Sequence, residues 1–152
     1  MAKRVKAGDV FRIPVANGLG YFQFTHDNKL MGKLIRVLPG VHDAPPDLGR
    51  LVEVEEQFMT FFPLAEALKE GIIVFCCNEP IPDSSFRFPV FRNGIRDPST
   101  SKFGAWWFWD GVREWRVGEL TFEQRKLPLM EIINDTLLQE RMQTRWRPED
   151  VW

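Results

Sequence analysis

"VFRIPVANGLGYFQFT", residues 10–25, decides the fold class, because two alternating runs flank a turn dipeptide. Val10, Arg12 and Pro14 alternate with Phe11, Ile13 and Val15, the period of a half-buried strand. Asn17-Gly18 is a hairpin signal, since such turns select residues that accept positive φ, and "LGYFQFT" reads as the returning strand. Pro14 has no amide to give to a ladder, so the first strand lies at an edge or bends there.

Working outward, "MGKLIRVL" (31–38) predicts a third strand, and "PGVHDAPPDLG" (39–49) a loop, with three prolines and two glycines. "LVEVEEQFMTFF" (51–62) alternates as a strand. "PLAEALKEG" (63–71) suits one or two helical turns between Pro63 and Gly71. "IIVFCC" (72–77) is continuously apolar and predicts a buried central strand. "FRFPVF" (86–91) reads as an irregular edge strand and "RNGIRDPSTSKFG" (92–104) as a loop.

"FGAWWFWDG" (103–111) has a second turn dipeptide, Asp110-Gly111. As a two-residue loop it pairs Trp109 with Val112, Phe108 with Arg113, Trp107 with Glu114 and Trp106 with Trp115. Trp106, Phe108, Arg113 and Trp115 then share a core-like face. Ala105, Trp107, Trp109, Val112, Glu114 and Arg116 share a mixed one. On the mixed face, Trp107 and Trp109 are either covered by the terminal helix or exposed as anchors beside Arg116. Exposed aromatic patches are uncommon, which favours cover; Trp and Arg are enriched at interface hot spots, which favours anchors.

Towards the end the period changes. Thr121-Phe122-Glu123-Gln124 has capping-box spacing, and Pro128 suits the first position of the main helix. Leu129, Met130, Ile133, Leu137, Leu138 and Met142 form a broad apolar stripe at helical spacing. The expectation is one α+β domain over 1–152: a curved, mostly antiparallel sheet or partial SH3-like barrel over 8–118, with a long C-terminal helix packed on it within a helical segment, 121–146.

Composition limits function. A chain of 152 residues buries roughly 70% of its unfolded surface. Twenty basic and twenty-one acidic residues nearly cancel, which argues against a general nucleic-acid binder. The charge is uneven: residues 51–80 carry six acids against Lys69 alone, and Glu53, Glu55 and Glu56 are the densest part. The basic start runs into Gly8-Asp9, not an apolar stretch, so neither a signal peptide nor a membrane span is expected. With Cys76-Cys77 as the only cysteines, a cytoplasmic location is favoured.

Catalytic and cofactor chemistry finds little footing. His26-Asp27 and His42-Asp43 hold the only histidines, and chain neighbours seldom face each other as a dyad requires. A thiol in a buried strand is inert, which sets Cys76 and Cys77 aside as nucleophiles. Vicinal cysteines with two scattered histidines are poor zinc spacing, and no phosphate-binding glycine loop or nucleophile elbow occurs. The expectation is a protein that is not an enzyme, with no cofactor and no metal.

"KAGDVFRIPVANGLGYFQF" (6–24) resembles the opening of the immunity protein 26 family of bacterial polymorphic toxin systems. The likeness rests on Gly8-Asp9-Val10-Phe11, Ile13-Pro14 and the Gly20-Tyr21 strand. It continues through the apolar strand before Pro80, the tryptophan-rich strand, and "EWRVGELT" leading into "IIN" and "LLQERM". The resemblance implies a small cytoplasmic antidote that binds and neutralises a cognate toxin, and it transfers no catalytic residue. Occlusion of the toxin would use a patch with aromatic anchors and a charged rim. Candidate contact residues are Trp107, Trp109 and Arg116, or Glu53, Glu55 and Glu56 facing a basic toxin, with the 39–49 loop as a further candidate. Two other readings stand beside it: an SH3-like module for a peptide or single-stranded nucleic acid, and a small hydrolase using His26 or His42.

Overall fold

A computed structural model describes residues 3–151. It is α+β, with eight strands in two antiparallel sheets and a few short helices. The larger sheet has the order β4-β3-β2-β1-β5, built from β1 (Asp9–Val15), β2 (Gly18–Asn28), β3 (Gly32–Val37), β4 (Phe58–Phe61) and β5 (Val74–Asn78). The smaller has the order β6-β7-β8, from β6 (Phe91–Arg96), β7 (Phe103–Trp109) and β8 (Glu114–Gly118). Among the described residues no helix is long and apolar enough to cross a membrane.

The first hairpin forms, but it turns one residue before the expected Asn17-Gly18, with Ala16-Asn17 as the loop and Val15 opposite Gly18. Pro14 lies beyond the last β1–β5 pair, Arg12 with Val74, so its missing amide faces no neighbour on that side. One face of the larger sheet carries Phe11, Ile13, Phe22, Phe24, Ile35 and Val37. They pack against α2 (Leu64–Lys69) and α4 (Asp135–Gln143) through Leu64, Ala67, Leu138 and Met142. On the other face Val10, Tyr21, Leu38 and Val52 cluster beside α1 (Leu48–Leu51).

Between the sheets, Leu34, Met59 and Phe61 of the larger meet Phe91 and Trp109 of the smaller, with Met31, Phe88 and Met130 around them. An extended segment, 128–133, also joins the two. The amide of Arg92 donates to Pro128 O (2.9 Å) and that of Met130 to Arg92 O (2.9 Å), joining it to the start of β6. One step on, the Phe61 amide donates to Glu131 O (3.3 Å) and that of Ile133 to Phe61 O (3.0 Å), joining it to the end of β4. This strap runs parallel to both strands.

The strap replaces the first half of the expected helix. Pro128 starts no helix, because its carbonyl is engaged by β6, and the β-branched pair Ile132-Ile133 favours extended backbone. The helix starts only after Asn134, whose Oδ1 accepts from the Leu137 amide (2.8 Å), and α4 is nine residues long. Thr121 and Gln124 do form a reciprocal capping box (3.2 and 2.9 Å), but it opens only a 3₁₀ turn, Gln124–Lys126.

Four more elements depart from the sequence expectation. "FRFPVF" forms no strand before Phe91, because Phe86 ends a helical turn and residues 87–90, with Pro89, are irregular. "IIVFCC" yields β5, a half-buried edge strand with Val74 43% exposed; a bulge places Cys76 and Cys77 against the same cluster. Residues 51–57 are the end of α1 and a turn, so the strand there begins only at Phe58. In 92–104, expected as loop, β6 pairs with β7 despite Gly94. A Cβ at Gly94 would lie 2.5 Å from Phe103 and 2.7 Å from Trp106, so the glycine makes room for two rings.

Candidate functional site

The β7–β8 hairpin turns one residue later than expected. Its loop is Gly111-Val112, with Gly111 at φ 97°, and Asp110 N donates to Arg113 O (3.1 Å) to close it. Asp110 Oδ1 accepts from the amides of Val112 (2.9 Å) and Arg113 (2.8 Å). Those bonds, Arg113 first, hold its carboxyl below the usual aspartate range. Pairing therefore moves by two residues: Trp109 opposes Glu114, Phe108 opposes Trp115 and Trp107 opposes Arg116. A shift of two preserves alternation, so Trp106, Phe108 and Trp115 share one face, while Ala105, Trp107, Trp109, Glu114 and Arg116 share the other. The expected Trp106–Trp115 pair is replaced by Phe108 against Trp115, with ring centroids 6.1 Å apart.

The mixed face is not uniform along its length. At its inner end Trp109 is 5% exposed, surrounded by Phe61, Phe88 and Phe91 at 5.4–6.1 Å between centroids. It belongs to the core between the sheets and is no surface anchor. Further out Trp107 is half-buried, between Asn93 on β6 and Arg116 on β8, both exposed. Ile95, 67% exposed, and Ala105 continue the face outward. The terminal helix does not cover it, because α4 docks on β1 of the other sheet. A solvent-open patch of Trp107, Ile95, Asn93 and Arg116 results.

The opposite face of this sheet is anchored by Arg92, a residue the sequence reading passed over. It is wholly buried, 4.6 Å from the Trp106 ring. Its guanidinium donates to the carbonyls of Leu127 (3.2 Å), Arg125 (3.0 Å), Val151 (2.7 Å) and Pro148. Burial pulls its pKa down to about 10, with Glu149 and Glu131 opposing and Arg125 adding to the drop. Arg92 thereby fastens both 3₁₀ turns, Gln124–Lys126 and Pro148–Asp150, to the sheet.

The acidic run separates into different surroundings. Glu53 lines a small hollow with Glu79. Glu55 and Glu56 line a cleft of about 510 Å³, whose other charged walls are Arg87, Lys126, Arg147 and Glu149. Glu56 is mostly engaged inside: it accepts from Ser85 Oγ (3.2 Å) and lies 3.6 Å from Arg36. Arg36 is buried on β3 and donates to Gln23 Oε1 (2.8 Å), Val52 O (2.9 Å) and Val54 O (2.8 Å), holding the 52–57 turn. Burial lowers its pKa, and Glu56 works against that. Acids and bases balance around the cleft, so no single negative face forms.

No protein-family model, no curated protein and no solved structure matches this chain.

The histidines are tied to backbone. His26 Nε2 lies 2.7 Å from Phe86 O, and His42 Nε2 lies 3.3 Å from Pro39 O with its ring edge-on to Tyr21. Each ring nitrogen so placed donates, and neither bond is to a carboxylate. Burial raises the pKa of both Cys76 and Cys77. Among the described residues no group of three or more His, Cys, Asp or Glu is placed to hold a metal ion. The 39–49 loop is fixed to the first hairpin by mutual Leu19–His42 amide-to-carbonyl bonds of 2.9 Å.

Proposed function

We propose that this chain is a cytoplasmic immunity protein that binds a cognate bacterial toxin and neutralises it by occlusion. The family resemblance of residues 6–24 supplies the class, and the open face of the three-stranded sheet supplies the surface. The observation that carries the reading is Trp107: a half-buried indole opposite Arg116, flanked by exposed Ile95. An aromatic held by its strand and ringed by polar groups is the usual form of an interface hot spot. Glu114 and Arg116 supply a charged rim that acts on the rate of encounter. In this reading the bulged larger sheet is the partial SH3-like barrel, serving as a rigid support for the smaller one.

Co-expression with the product of the adjacent reading frame, scored by bacterial growth, tests the proposal. Wild-type chain protects. Trp107→Ala weakens binding by roughly 2 kcal/mol or more, and protection falls with it while the protein stays folded. Absence of protection by a folded wild-type chain, against the products of both flanking frames, overturns it. A second reading draws on the same geometry, since an indole beside arginine also stacks on bases of a single strand. Oligonucleotide binding that weakens steeply with salt would favour that reading.

A further inference from the structure

The strap pairs with β4 at Phe61 and with β6 at Arg92, and a bulge interrupts the β5 edge, where Lys3 lies over the Phe75 ring at 4.0 Å. The β8 edge is different. Residues 112–116 are all exposed, including Trp115 at 38%. An open edge with an exposed aromatic is a template for another strand. The Asp110–Arg113 hydrogen bond fixes which groups are available there. Bonded and non-bonded pairs alternate from that pair, so Trp109–Glu114 and Trp107–Arg116 are non-bonded. The N–H and C=O of Glu114 and Arg116 therefore point outward.

We propose that a second copy of this chain docks on this edge, β8 against β8, antiparallel about a two-fold axis through Trp115. The two small sheets become one of six strands. The sequence Glu114-Trp115-Arg116 is its own complement under that rotation: each Glu114 meets the second copy's Arg116, and the outward backbone groups of both exchange hydrogen bonds. The two Trp115 rings form the close, non-bonded pair on the axis. Arg113, on the same face as Trp115, reaches the second copy's indole along the diagonal. An open notch of about 370 Å³ beside Arg113, Glu114 and Trp115 gives that ring space.

Register is selected by charge. A slip of two residues sets Glu114 against Glu114 or Arg116 against Arg116, and a slip of one turns the indoles to opposite faces. This self-complementarity is particular to a second copy, because an unrelated peptide has no reason to repeat the charge order in reverse. Few residues meet per chain, so association belongs in the micromolar-to-millimolar range.

Sedimentation velocity over that range, with hydrogen exchange on the same samples, tests the proposal. The expected result is a sedimentation coefficient that rises with concentration, and Glu114 and Arg116 amides that exchange more slowly as it rises. Glu114→Arg alone weakens self-association roughly tenfold or more, because the two-fold turns one substitution into two like-charge contacts. Arg116→Glu alone does the same, and the double variant restores wild-type association. A monomer at every concentration overturns the proposal. So does a double variant that melts like wild type yet stays monomeric, or an edge protected only when a different protein is added.

Discussion

Trp109→Ala separates the two ends of the mixed face. The indole is 5% exposed and touches three phenylalanine rings, Phe61 from the larger sheet, Phe91 from the smaller and Phe88 from the link between them. Truncating a buried tryptophan leaves a cavity and costs about 3–5 kcal/mol. For a chain of this length each kcal/mol moves Tm by about 2–4 °C, so a fall of roughly 6–20 °C is expected. Trp107 is half-buried and borders solvent, so water fills the space its ring leaves. At about 25 cal/mol per Å² and roughly half of a tryptophan's area, Trp107→Ala costs about 2–3 kcal/mol. Urea unfolding of both variants, with m-values compared, measures the difference. The Trp109→Ala cavity lies between the sheets, so a change in m would report their uncoupling. Equal destabilisation of the two variants refutes the division of this face into core and surface.

Glu55 and Glu56 separate in the same way. Glu56→Lys sets a second cation against buried Arg36 and costs roughly 3 kcal/mol. Exposed Glu55→Lys leaves stability within about 0.5 kcal/mol, checked by thermal melts. The thiols of Cys76 and Cys77 have raised pKa values, so at neutral pH each holds less thiolate than a free cysteine. Iodoacetamide is expected to alkylate the native protein more slowly than the urea-unfolded chain, with rates still climbing at pH values where free cysteine has levelled off. Equal native and unfolded rates would refute this.

The first hairpin was legible because a turn dipeptide interrupts the alternation of residues 10–25, although the loop falls one residue before it, and α2 because Pro63 and Gly71 bound it. The faces of the aromatic run were legible although its register was not, since an even displacement leaves every side chain on its own side. Depth was hidden: alternation assigns Trp107 and Trp109 one face but cannot tell which lies over the other sheet. The strap was hidden by an apolar stripe that fits helix and strand alike. Asn134, an N-cap residue directly after Ile132-Ile133, was the local signal that the helix starts late. Arg36 gave no signal because an arginine inside "LIRVL" reads as a solvent-facing alternate, and Arg92 gave none because it opens a stretch that reads as loop. Only tertiary structure supplies the carbonyls that bury them.

The strap also sets an order of events during synthesis. Phe61 leaves the ribosome about 70 residues before Ile133, so at the usual elongation rate β4 waits roughly 4–14 s for the segment that pairs with its edge. The β6 edge waits for Met130 in turn. All eight strands are made before the strap, so Phe61 and Arg92 wait for their partners on that side until it follows. A chain truncated between residues 118 and 128 would carry all eight strands but leave Phe61 and Arg92 without their strap partners, a state suited to chaperone capture or to pairing with other copies.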